Sequence, residues 1–70
     1  MNYDFRDHYS IGDKLKIITD IDVFPAIVTK VTAFCAHCRD HENMIFHLAR
    51  NPDGEVWLAD TQEECEIEKY

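Results

Sequence analysis

The run FPAIVTKVTAF, Phe24 to Phe34, constrains the fold more than any other stretch. It is rich in β-branched and aromatic residues, which favour strands. It is too long for one flat strand, and its apolar phase slips. Ala26 and Val28 fall on one face, but the next apolar position of that face, Val31, lies three residues on. A period of two cannot absorb a step of three without one residue leaving the ladder. A bulge or sharp bend near Thr29 or Lys30 restores the pattern.

The neighbouring stretches read as strands too. DKLKIIT, Asp13 to Thr19, places Leu15 and Ile17 on one face and Lys14, Lys16 and Ile18 on the other. MIFHLAR (Met44 to Arg50) and EVWLAD (Glu55 to Asp60) flank Asn51-Pro52-Asp53-Gly54. That tetrapeptide predicts a hairpin turn: proline presets the second turn position and glycine accepts the left-handed conformation that closes it. In TQEE, Thr61 and Glu64 have capping-box spacing, but four residues support only a single turn, read as 3₁₀. CEIEKY then alternates as a last short strand with Cys65 and Ile67 inward.

The 70 residues suit one domain. A chain this short buries only about 60% of its unfolded surface, so closing a sheet on itself is a useful economy of edges. The expected fold is all-β: a small five-stranded barrel over residues 11–70, with an N-terminal arm over residues 1–10 and a single 3₁₀ turn before the last strand. Tyr3, Phe5 and Tyr9 would pack that arm over one open end. IGDKLKI, FPAIVTKV, NPDGEVWLAD and CEIEKY together resemble the SH3-like small barrels, most closely the Tudor type. The resemblance rests on an aromatic-x-Ala-x-Val-x-x-Val stretch on the bent second strand, matched by Phe24, Ala26, Val28 and Val31. It implies an SH3-like fold, and, through the aromatic position Phe24, capture of a cationic group by a ring face.

Charge narrows the partners. There are 14 acids against 7 bases, a formal net charge of −7, and nine of the acids fall between Cys35 and Tyr70. Phosphate binding depends on Lys and Arg, so this surface repels nucleic acid. The alternative is a metal-stapled, nucleic-acid-associated barrel using a local strip of Lys14, Lys16 and Lys30. No apolar run approaches the roughly 20 residues of a membrane helix, and MNYDFRDHYS has neither the basic nor the apolar region of a signal peptide. With an odd number of cysteines, three, the chain is expected to be cytoplasmic with free thiols.

CAHCRDH, Cys35 to His41, raises the question of metal. The Cys-x-x-Cys spacing is half of a common zinc site. Cys35, Cys38 and His41 would be the ligands. His47 would stand about 10 Å up the next strand at ~3.3 Å per residue. The resemblance to SH3-like barrels would bring the turn before the last strand, and with it Cys65, near the same loop. We expect no bound cofactor: AHCRDHEN reads as a polar loop, with Cys35 packed as a small apolar residue. No nucleophile elbow, phosphate loop or telling pair of acids is present, so an enzyme is not expected.

The functional expectation is a non-enzymatic protein-binding module, a small acidic regulator or inhibitor that docks on a basic surface of a partner. The binding residues expected are Phe24, Trp57, Glu63, Glu64, Glu66 and Glu68. Trp57 alternates with Val56 and Leu58 and so falls on the outer face, and exposed tryptophans are common interface anchors.

Overall fold

The structure is a computed structural model that describes residues 3–70, so Met1 and Asn2 of the expected arm lie outside the described residues. Seven strands form one antiparallel sheet in the order β6-β5-β4-β3-β2-β1-β7: β1 Lys14–Ile18, β2 Val23–Val31, β3 Cys35–Asp40, β4 Ile45–Arg50, β5 Val56–Leu58, β6 Glu63–Glu64 and β7 Glu66–Lys69. Only Cys65 separates β6 from β7. The first pairs with β5 and the second with β1, so one kinked terminal segment joins the two ends of the sheet. The result is an all-β, nearly closed small barrel, compatible with an SH3-like fold.

The phase slip in β2 is a bulge. Val28 pairs with Cys38, whereas Lys30 pairs with His37, so Thr29 has no ladder partner and both Val28 and Val31 keep the inward face. The NPDG turn also forms as expected. Gly54 has φ +85° and donates to the Asn51 carbonyl at 2.9 Å. Asn51, a buried polar residue, exchanges backbone and side-chain bonds with Glu55 at 2.7 and 2.9 Å.

Two expectations are corrected. The barrel has seven strands, not five, because CAHCRD is a strand and not a loop, and because Glu63–Glu64, expected within the turn before the last strand, form a short strand of their own. Ala36 and Cys38 face inward and are fully buried, while Cys35, His37 and Arg39 face outward. Small inward residues fit the tight interior of a small barrel, but they do not look like a hydrophobic strand in sequence. The 3₁₀ turn is also elsewhere. It spans Phe5–Asp7, with the Asp4 carboxylate accepting from the Arg6 N–H, and it buries Phe5 in the core. Between β5 and β6 the chain makes turns, with Gln62 at φ +58°, and Glu63 and Glu64 go straight into a strand.

The core is formed by Leu15, Ile17, Ala26, Val28, Ala36, Cys38, Leu48 and Leu58, closed at one end by Phe5 and Tyr9. Cys65 and Ile67 pack against it, as their alternation predicts. Among the described residues no helix is long and apolar enough to cross a membrane.

Candidate functional site

Antiparallel connectivity places the β1–β2, β3–β4 and β5–β6 turns at the same end of the barrel. There they enclose a cleft of about 340 Å³ whose lining includes Ile21, Phe24, Met44, Ile45, Phe46 and Leu58. Phe24 and Phe46 meet edge to face in its wall, with ring centroids 5.7 Å apart and planes at 81°. Ile21, Met44 and Ile45 are open to solvent, at 87%, 63% and 64% exposure. Such a group of exposed apolar side chains makes this end of the barrel a candidate contact surface.

The same cleft is lined by acids: Asp22, Asp40, Asp60 and Glu63. Three of these carboxylates are held by hydrogen bonds, two within their own turns and one to β4. Asp22 accepts from the Val23 N–H at 2.8 Å, and the Thr19 hydroxyl closes the same turn at 3.0 Å from both the Asp22 N–H and its carbonyl. Asp40 accepts from the Glu42 and Met44 N–H groups at 2.8 and 3.0 Å, holding a turn in which Asn43 has φ +64°. Asp60 accepts from the His47 N–H at 2.8 Å and lies 3.0 Å from its ring Nδ1. The bond from His47 holds the Asp60 carboxyl below the usual carboxylate range, so it carries its charge down to low pH. The structural role of these groups also fixes where their charges sit.

The residues expected to bind a partner are divided among neighbouring positions. Phe24 and Glu63 line the cleft. Trp57 is half-buried on the outer face and pairs across the ladder with Ala49 on one side and Glu64 on the other. Glu64 and Glu66 line an adjoining groove with Asp20 and Glu55. Glu68 is drawn to Lys16 at 3.7 Å. The sequence reading missed Phe46, which the three-strand ladder β2-β3-β4 brings to Phe24. It also missed Ile21, whose two acidic neighbours in DID made the segment read as a polar break.

The suggested zinc ligands are not brought together. On a strand, residues three apart face opposite ways. Cys35 is on the outer face and Cys38 is 0% exposed in the core. Burial pushes the Cys38 thiol up to about 12, away from the thiolate that metal binding needs. His41 lies in the β3–β4 turn, beside a separate groove of about 210 Å³ that Lys14, Pro25, Ile27, Arg39 and Tyr70 also line. Cys65 packs against the core, with its thiol reaching toward the Val56 carbonyl at 4.0 Å. Lys14 and Lys16 lie on β1 and Lys30 on the adjacent β2. Lys14 stands opposite Ile27, Lys16 opposite Pro25, and Lys30 lies past the bulge opposite His37.

No protein-family model, curated protein or solved structure matches the chain.

Proposed function

We propose that this barrel is a non-enzymatic binding module that receives a Lys- or Arg-bearing segment of a protein partner at the cleft between its turns, acting as a small acidic regulator. One observation carries the reading: two aromatic rings and three exposed aliphatic side chains lie within a rim of four carboxylates. A lysine or arginine side chain matches that combination, because its methylene stem covers apolar surface while its head meets acids or a ring face. The Tudor-type resemblance at Phe24, Ala26, Val28 and Val31 agrees with such an occupant. Glu64 and Glu66 extend the negative field beyond the cleft, and Trp57 beside Glu64 offers a further contact. Rim charges of this kind steer encounter more than they set affinity.

The test is the anisotropy of a fluorescent peptide rich in lysine and arginine, measured against rising salt, with an acidic peptide and a single-stranded oligonucleotide as comparators. Binding of the basic peptide alone, weakening as salt screens the rim, supports the proposal. Binding of the oligonucleotide at physiological salt would favour the Lys14, Lys16 and Lys30 surface instead.

A further inference from the structure

We propose that the outer face of β3 and β4 carries a metal site for a zinc-class divalent ion, with Cys35, His37 and His47 as ligands and Asp60 as the group that holds His47. Because β3 begins at Cys35, the return strand sets His47 directly opposite His37 in the ladder, and their rings meet edge to face with centroids 4.4 Å apart. Cys35 lies two residues before His37 on the same face, and its Sγ stands 3.5 Å from His37 Nε2. In a tetrahedral shell with Zn–S near 2.3 Å and Zn–N near 2.0–2.1 Å, a sulfur and a nitrogen ligand are about 3.5 Å apart. The same contact serves as a thiol–imidazole hydrogen bond when no ion is bound.

His47 supplies the second independent observation. Its Nδ1 is held by the Asp60 carboxylate at 3.0 and 3.1 Å to the two oxygens, which leaves Nε2 as the free nitrogen. Metal-binding histidines are commonly oriented by a carboxylate on the other ring nitrogen in this way. The donor set of one thiolate and two imidazoles suits zinc and its neighbours rather than magnesium or calcium. Among the described residues no three His, Cys, Asp or Glu side chains already stand gathered as a shell. Binding therefore moves the Cys35 and His37 side chains toward the free Nε2 of His47, whose ring stays on Asp60 and whose side chain is 36% exposed. The Cys35 proton leaves to solvent as the metal–sulfur bond forms, so uptake strengthens as pH rises. A water or a donor from a partner fills the fourth position.

Titration of the untagged protein with Co²⁺, followed by Zn²⁺, tests the site. The expected result is about one equivalent of tetrahedral cobalt, with visible bands and a sulfur-to-metal charge-transfer band, displaced by Zn²⁺. Cys35→Ser should abolish the charge-transfer band. His37→Gln and His47→Gln should weaken uptake at least tenfold, and Asp60→Asn about 10- to 100-fold. Cys38→Ala and His41→Gln should leave the spectrum unchanged, with circular dichroism confirming the fold of each variant. Absence of the cobalt bands in the folded wild type would overturn the proposal. So would their survival in Cys35→Ser, or their loss in a folded His41→Gln variant.

Discussion

Phe24 and Phe46 stand edge to face with ring centroids 5.7 Å apart, one on β2 and the other on β4, with β3 between them. Both are half-buried, so each contributes to the core and to the cleft wall. The two contributions separate by mutation. Phe46→Ala should cost about 2 kcal/mol of stability by urea denaturation, less than the ~3–5 kcal/mol of a fully buried phenylalanine. Phe46→Leu should retain most of the stability yet lose the ring, and should weaken binding of a basic peptide severalfold. Equal peptide binding by Phe46→Leu and wild type would remove the ring from the site.

The Asn51–Gly54 turn gives a second prediction. Gly54 has φ +85°, and a Cβ built there would lie 2.7 Å from Arg50 Nη2, whose neighbouring Nε donates to the Gly54 carbonyl at 2.8 Å. Gly54→Val therefore combines a strained backbone with displacement of Arg50, and should destabilise by about 1–3 kcal/mol. Each kcal/mol lowers the Tm of a domain this size by roughly 4–8 °C. An unchanged Tm would mean that the turn does not need the left-handed conformation.

Acid should destabilise the barrel in two stages. Partial burial, followed by the influence of His47 and Lys30, lowers the His37 pKa from its ordinary 6.5. A base with a lowered folded pKa leaves stability intact above 6.5, and stability is lost as pH falls from there toward the folded value. The bond to His47 lowers the Asp60 pKa from its ordinary 3.8, so its contribution is present above 3.8 and is lost as pH falls through the folded value. Asp60→Asn should flatten the lower stage of the stability–pH profile and His37→Gln the upper one, both followed by urea midpoints. A profile unchanged in both variants would contradict the assignment.

Thiol accessibility should distinguish the cysteines. Cys38 is fully buried, and its pKa is pushed up to about 12 by that burial. Burial also raises the Cys65 thiol. Cys35 is half-buried on the outer face. Brief alkylation of the native protein, mapped by mass spectrometry, should label Cys35 first and Cys38 only after unfolding. Labelling of Cys38 at the same rate as Cys35 would mean that β3 does not face inward at that residue.

The parts of this fold that were legible in the sequence are those with a local cause. The bulge at Thr29 follows from one apolar step of three, and the left-handed Gly54 from the chemistry of a four-residue turn. β3 was illegible because its inward residues are only Ala36 and Cys38, and its outward ones resemble a ligand loop. The break at Cys65 depends on the chain having to pair with both β5 and β1, which no local pattern encodes. The cleft was half legible. Phe24 could be singled out on its own strand, whereas Phe46, Ile21 and the turn carboxylates reach it only through the register of the closed sheet.

The most direct test of the cleft is chemical-shift mapping of ¹⁵N-labelled protein during titration with an unlabelled Lys/Arg peptide at physiological salt. The expected result is a saturable set of shifts centred on Asp22, Phe24, Asp40, Met44, Phe46 and Asp60, reduced in Phe46→Leu and weakened by added salt. Shifts confined to Lys14, Lys16, Lys30 and Arg39, or scattered evenly over the acidic surface with no saturation, would contradict it.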